Sequence, residues 1–212
     1  MKIEIWSDVA CPFCYIGKRK FELALQNFAH RENVEITWRS FRLAPDTKNI
    51  PGKDIHDYLA EKKGQTREWA QRMNGQVTDM AKAVGLKYDF DKLVVANTLD
   101  AHRLSHLAAK HNLQNEMEEH LFSAYFTEGK NIGDKETLMK LGTETGLDSS
   151  EIKSMLEENT FAQDVQRDED EAAQLGIRGV PFFLFDRKYA VSGAQPQEVF
   201  QQTLEKVWEE NN

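Results

Sequence analysis

The sequence is poor in cysteine, with two in 212 residues, so no disulfide framework can staple a small secreted fold. No second Cys-x-x-Cys exists to complete a zinc site of the usual four-ligand kind. No run approaches the ~20 apolar residues of a membrane helix. The opening stretch, Met1 to Asp8, places acids where a signal peptide needs an apolar core, so the expected location is cytoplasmic and no membrane partner is expected. Basic excess is also missing. Lys and Arg total 27 against 35 Asp and Glu, a net charge of −8, which gives nucleic acid or an anionic membrane no electrostatic support. Repeats and low-complexity segments are absent. What remains is 40% hydrophobic and 29% charged, an ordinary globular composition. The length suits one domain with an insertion or two small domains, and it is enough to bury a sizeable core. Small molecules or proteins are the expected partners.

Both cysteines fall in one stretch, Cys11-Pro12-Phe13-Cys14, between a strand-like run (Lys2 to Ser7) and a helix-like run (Tyr15 to Ala29). Unpaired N–H groups and the positive dipole end at a helix start favour negative charge, and thiolate is the reactive form of cysteine. With two intervening residues on a first helical turn, Cys14 can swing against Cys11 and close a small disulfide. A structural disulfide and half of a zinc site are the competing readings. A reducing cytosol disfavours a permanent staple, which leaves catalysis, sensing or metal binding, and a strand before with a helix after favours redox chemistry.

Lys2-Ile3-Glu4-Ile5-Trp6 alternates polar and apolar side chains, and Val34 to Phe41 does so again after the first helix. Strand, helix, strand of this length predicts a right-handed crossover to a parallel neighbour, with Cys11 at the carboxyl end of the first strand. From about Pro51 to Leu175 the pattern is helical, with segments predicted at 53–63, 66–84, 91–111, 113–127, 134–145, 149–158 and 161–175. Capping-box spacing occurs at Asp148 with Glu151 and at Thr160 with Gln163. The acidic patch from Asp164 to Glu171 reads as the solvated side of a helix. Val180 to Phe185 and Tyr189 to Ser192 then predict an antiparallel hairpin, and Pro196 to Glu209 a final helix with Val199, Phe200, Leu204 and Val207 on its apolar face.

Joined end to end, the outer segments read βαβ then ββα. The predicted class is therefore α/β, a thioredoxin fold with an all-α insertion between its halves. The expected domains are 1–45 with 165–212, and 46–164. Gly179-Val180-Pro181 is the second candidate site, because a proline opening an apolar strand cannot donate to the ladder and marks a tight or cis geometry. Only the fold can bring it to the cysteines.

Together these motifs resemble the DsbA-like family of thioredoxin-fold oxidoreductases. The FrnE-like branch matches best, on Ser7-Asp8-x-x-Cys11-Pro12-Phe13-Cys14-Tyr15-Ile16-Gly17, Asn97-Thr98-x-x-Ala101-His102-Arg103-Leu104, and Gly179-Val180-Pro181 through Ser192-Gly193-Ala194-Gln195. The resemblance spans essentially the whole chain. It implies a thiol–disulfide oxidoreductase or isomerase with Cys11 as attacking thiol, Cys14 as resolving thiol, and Pro181 as a cis-proline against the disulfide. Pro12, Phe13 and the Val180 backbone would meet a protein or peptide substrate, as strand addition allows. Asn97, His102 and Arg103 would lie on an insertion helix facing the redox pair. His102 and His106 have the i, i+4 spacing of a metal pair, but packing is the commoner use and no metal is expected. No cofactor is implied beyond glutathione as a reductant or co-substrate.

Strongly oxidising members of the family carry His where this chain has Phe13, and a cationic imidazole there stabilises the attacking thiolate. Phe13 predicts a Cys11 pKa below ~8.5 but not near ~3.5, and a potential between about −270 and about −120 mV. That range suits reduction or isomerisation. The alternative function is a glutathione-dependent isomerase or transferase of the 2-hydroxychromene-2-carboxylate isomerase or kappa type. Those enzymes resemble this architecture but carry Ser in place of Cys11 and an Asp-Arg pair near Ala194-Gln195.

Overall fold

The computed structural model describes residues 1–211. β1 (Lys2–Ser7) turns into α1 (Pro12–Asn27), and after a 3-10 turn at Arg31–Asn33 the chain enters β2 (Glu35–Ser40). β2 lies parallel to β1 with Ile3 opposite Ile36 and Ile5 opposite Trp38. α1 is thus the crossover helix between them. Much later in the chain, β3 (Phe182–Phe185) pairs antiparallel with the other edge of β1, and β4 (Tyr189–Ser192) completes a hairpin. The order is β2-β1-β3-β4, and α9 (Gln197–Asn211), the last of nine α-helices among the described residues, follows. This is a thioredoxin-like α/β fold, the class predicted from the order of elements. The three-residue connection turns on Asp186 and Arg187, both with positive φ, and is closed by Lys188 N–H donating to the Phe185 carbonyl at 2.9 Å, a mirror-image turn whose twist matches that of the strands.

The pleat sorts the sheet side chains onto two faces. On one, Ile3 and Ile5 stand opposite Phe185 and Phe183, and Phe21 of α1 and Phe200 of α9 pack there, with ring centroids 4.8 Å apart for Phe183 and Phe200 and 5.5 Å for Phe21 and Phe183. In α9, Phe200, Leu204 and Val207 are buried at helical spacing. On the other face Trp6 and Leu184 cluster with Ala172 and Ile177, and Phe41, Val180 and Phe182 pack against them.

Between the sheet halves run α2 (Ile55–Lys63), α3 (Arg67–Lys82), α4 (Leu99–Lys110), α5 (Gln114–Phe126), α6 (Lys135–Thr145), α7 (Ser149–Glu158) and α8 (Ala162–Gln174). Internal contacts divide the chain into two compact units, Met1–Leu43 with Val165–Asn212, and Ala44–Asp164. Side-chain oxygens of Asp54, Thr66, Asp134 and Asp148 cap α2, α3, α6 and α7 by accepting backbone N–H bonds, which satisfies donors that would otherwise be orphaned. At Asp148 only this half of the expected capping box is seen, since the Glu151 carboxylate meets His111 Nε2 at 2.8 Å.

Two expectations are corrected. The helix predicted over 91–111 is broken: a 3-10 turn covers Phe90–Lys92, Val95 bridges to Ile50, and α4 begins only at Leu99. Asn97 explains the break. Its side chain accepts from Leu99 N–H and donates to the Pro45 and Thr47 carbonyls, so it competes with helical bonding at that point. The acidic patch in α8 is not simply a solvated face. Asp168 is buried and accepts from Ser40 N–H at 2.9 Å and from Arg39 at 3.0 Å, Glu169 grips Arg42 with two bonds of 2.8 Å, and Glu171 meets Arg187 at 2.7 Å.

Glu4 belongs to the same charged cluster, accepting from Arg39 at 2.5 Å and Arg187 at 2.7 Å. Burial works to raise its pKa, but the bonds from Arg187 and Arg39 outweigh it and hold the carboxyl below its ordinary value of 4.5. A carboxylate depressed in the fold stabilises fully above its unfolded pKa and loses that contribution as pH falls through the folded value. Glu4→Gln is therefore expected to lower stability by about 1–2 kcal/mol at pH 7. The gap from wild type should narrow as pH falls below the ordinary carboxylate value of 4.5 and through the lowered folded value. Urea unfolding of both proteins across that range checks this, and a gap independent of pH would contradict it.

Candidate active site

At the end of β1 the backbone turns sharply into α1, and this turn builds the cysteine site. Cys11 is the N-cap of α1 in extended conformation, with Pro12 following at the first helical position, where its missing N–H costs nothing and its fixed φ suits the helix. Cys11 N–H donates to the Asp8 carbonyl at 2.9 Å, and Cys14 N–H donates to the Cys11 carbonyl at 3.0 Å. The Asp8 carboxylate stiffens the turn by accepting from Ala10 N–H at 3.2 Å and Leu43 N–H at 2.8 Å. Both cysteines are free thiols. Cys11 is 3% exposed and Cys14 1%, whereas Phe13 between them is 39% exposed. Helical periodicity explains the contrast: Cys14 shares its buried face with Lys18 and Phe21, and Phe13 does not.

The second half of the site arrives from the other end of the chain. Cys11 Sγ donates to the Val180 carbonyl at 3.6 Å, within the range of a sulfur hydrogen bond. The Val180–Pro181 peptide bond is cis. The Pro181 carbonyl accepts from Gly193 N–H at 2.8 Å, and Lys20 Nζ donates to the Ala194 carbonyl at 2.9 Å. A chain spanning nearly the whole sequence thus folds Cys11, Cys14, Val180 and Pro181 into one place. A model of the DsbA-like thioredoxin domain matches residues 2–205.

The chain belongs to the DsbA-like thioredoxin domain family. It is 41% identical to the probable DsbA oxidoreductase of Streptomyces coelicolor, whose crystal structure superposes with a TM-score of 0.93, over 99% of this chain and 91% of that one. It is 32% identical over 206 residues to the uncharacterized protein YwbO of Bacillus subtilis, covering 95% of this chain and 94% of that protein. The cytosolic disulfide reductase DsbM of Pseudomonas aeruginosa, in its structure with GSH, shares the fold at 15% identity and a TM-score of 0.69, with 99% of this chain and all of that one covered. No described helix is long and apolar enough to cross a membrane.

The two thiols of this DsbA-like pair have different surroundings. Burial first, then the hydrogen bond and charge of Cys11, push the Cys14 thiol well above its ordinary pKa, while the Ser7 hydroxyl and the Asp8 N–H pull the other way. Cys14 is a protonated thiol at neutral pH. Lys18, buried one turn beyond Cys14, is neutralised by Glu22 at 2.5 Å.

The three expected residues of the insertion lie in the other compact unit. Contrary to expectation, Asn97 precedes α4 rather than lying on it, and its side chain is taken up by the turn described above. His102 is on α4 and buried. Arg103, also buried on α4, donates to the Met155 carbonyl, to the Thr160 carbonyl at 2.7 Å and to Asp100 at 2.5 Å. It ties α4 to the end of α7 and the chain beyond.

Sequence reasoning did not single out Ser7 or Gly17, although both stand in the motif around the cysteines. Gly17 is needed where α1 passes Pro181: a Cβ there would sit 2.8 Å from Pro181 Cγ and 3.5 Å from Phe183 Cζ. Neither neighbour is the free end of a flexible side chain, so overpacking is expected to cost about 1–3 kcal/mol. Gly17→Ala should lower the unfolding free energy by that amount, read as a lower urea midpoint at unchanged m-value, and an unaltered midpoint would show that the contact yields freely.

Proposed function

We propose that this protein is a thiol–disulfide oxidoreductase of the FrnE-like branch, working in the cytoplasm as a reductase or isomerase on disulfides of proteins or peptides. The observation that carries the reading is the meeting of the Cys11 thiol with the Val180 carbonyl at 3.6 Å. It puts a helix-capping cysteine against a backbone segment that opens a strand, which supports an extended peptide lying along Val180 with its disulfide at Cys11. Exposed Phe13 and half-buried Pro12 supply apolar surface beside the sulfur. Asn97 and Arg103 are assigned to holding the insertion together, and His102 to packing in α4.

In the reductive direction, the Cys11 thiolate attacks one sulfur of the substrate disulfide, the substrate S–S bond breaks, and the departing thiolate takes a proton from solvent. Cys14 then loses its proton to solvent and attacks Cys11 Sγ. The mixed disulfide breaks, the second substrate thiolate is protonated, and Cys11–Cys14 closes. The substrate gains two electrons and the enzyme loses two. A cellular thiol such as glutathione resets the pair, two thiols being oxidised to one disulfide. Phe13 adds no cation beside Cys11, and this favours reduction or isomerisation over strong oxidation.

Cys11→Ser is expected to lower reduction of an insulin-type disulfide at least about 100-fold. Cys14→Ser should accumulate a mixed disulfide on Cys11 that acid quenching and mass spectrometry identify. Protein adducts support the proposed clients, glutathione alone would shift the reading to a glutathione-coupled enzyme, and activity surviving Cys11→Ser would refute it. The potential measured against glutathione should fall between about −270 and about −120 mV, and a value at the oxidising end would show that Phe13 does not control it.

A further inference from the structure

α1 meets the end of the β3–β4 hairpin at two residues three apart, on one helix face. Gly17 lies against the Pro181 ring. Lys20 donates from Nζ to the Ala194 carbonyl at 2.9 Å. Lys20 is half-buried, and its ammonium has no carboxylate partner among the described residues, whereas its neighbours Lys18 and Arg19 both pair with Glu22. A charged donor, stronger than a neutral one, is thus committed to one backbone carbonyl. That carbonyl belongs to a tight turn. Gly193 has a φ of 83°, the left-handed region that favours glycine. Gln195 N–H donates to the Gly193 carbonyl at 2.9 Å, and Gln195 Nε2 to the Ser192 carbonyl at 2.8 Å. Gly193 N–H in turn donates to the Pro181 carbonyl at 2.8 Å, one rung beyond the Phe182–Ser192 pair of the β3–β4 ladder. Pro181 follows Val180, whose carbonyl receives the Cys11 thiol at 3.6 Å. Hydrogen bonds linked by single steps of backbone therefore run from the Lys20 ammonium to the Cys11 sulfur. Packing alone would be served as well by methionine.

We infer that Lys20 is a positioning residue for peptide substrates: by pinning the Gly193–Ala194 turn it holds the Pro181 carbonyl, and with it the Val180 backbone that receives an extended chain. This rests on the thiol–disulfide reading above. Strand addition needs backbone groups at fixed spacing, so a preorganised edge binds better than a loose one. Before Phe182 the ladder with β1 has not begun, and the Gly193 rung is what continues the sheet on the β4 side. Gly193 has no side chain to anchor it, and its turn is exposed at Ser192 and Gln195. The anchor comes instead from α1, the helix that Cys11 caps and that carries Cys14. Thiols and receiving edge are thereby fixed in one frame. Lys20 touches no substrate atom and supplies no proton or electron to the exchange. A small disulfide, with no backbone to pair, does not use the Val180 edge and should not sense Lys20.

The test is stopped-flow reaction of the full-length reduced protein with two reagents that share one leaving group. One is 5,5′-dithiobis(2-nitrobenzoate). The other is an extended synthetic peptide whose only cysteine is joined by a disulfide to the same nitrothiobenzoate. With the peptide, the Cys11–peptide S–S bond forms, the peptide–thiobenzoate S–S bond breaks, and the electron pair leaves on the coloured thiolate. Cys14 then closes on Cys11 and releases the peptide as a thiol. The concentration-dependent phase gives a rate constant for each reagent, and their ratio isolates what the peptide backbone contributes. Lys20→Met keeps the reach of the side chain and removes the ammonium. It is expected to lower the peptide rate constant about 3- to 10-fold, a fraction of what a charged hydrogen bond supplies, with the small reagent's rate constant unchanged within about twofold. Lys20→Arg is expected to keep the wild-type ratio. A merely structural lysine would shift the urea midpoint and leave that ratio alone. If far-UV circular dichroism shows Lys20→Met unfolded, Lys20→Gln removes the same charge. A folded variant lacking the ammonium whose ratio stays within about twofold of wild type would overturn the inference and leave the function standing. So would a Lys20→Arg variant that loses the ratio as Lys20→Met does. A wild-type protein that closes no Cys11–Cys14 disulfide with either reagent would overturn the function and the inference with it.

Discussion

The structure depends on the pairing of β1 with strands from both ends of the chain. β2 holds one edge of β1 in parallel and β3 the other in antiparallel, so the residues that leave β1 at Ser7 are fixed relative to those that enter β3 at Phe182. Cys11 meets Val180 because of that registry. A loop closure across most of the chain carries an entropic cost, and backbone ladders plus the Phe21–Phe183–Phe200 cluster supply the burial that offsets it. Gly17 permits the final approach of α1 to Pro181.

On the opposite face the sheet mixes apolar and charged contacts. Trp6 and Leu184 pack with Ala172 and Ile177, while Glu4 on the same strand face as Trp6 is enclosed with Arg39 and Arg187. Partly buried charges are tolerated here because each has several partners: Asp168 accepts from both a guanidinium and a backbone N–H, and Arg39 reaches Glu4 and Asp168. A single exposed pair would contribute little, whereas loss of one member of a buried cluster leaves the others uncompensated. The cluster locks β1, β2, the β3–β4 turn and the second half of α8 together at the base of the cysteine site.

The cysteine pair is asymmetric because the helix imposes asymmetry. The capping position of Cys11 presents its sulfur to the incoming Val180 strand, and the position of Cys14 three residues on turns its sulfur inward toward β1. Inward placement makes a poor thiolate, and what opposes that is local and neutral: a hydroxyl and a backbone N–H.

The sequence by itself determined the class of fold, the redox motif and its helix start, because alternation, helical spacing and the Cys-x-x-Cys pattern are local and carry their physical meaning within a few residues. Even Ser149–Glu158 and Tyr189–Ser192 were legible to their ends from a capping aspartate and a strand-like run between turns. Tertiary structure decided what depends on a partner distant in the chain. Glu4 and Asp168 look like solvated acids until arginines from other elements enclose them; Asn97 looks helical until Pro45 and Thr47 claim its amide; Arg103 resembles a binding residue until carbonyls beyond α7 take its guanidinium. Polar side chains have no directional preference that sequence can express, since their state is set by whichever donor, acceptor or solvent the fold brings to them.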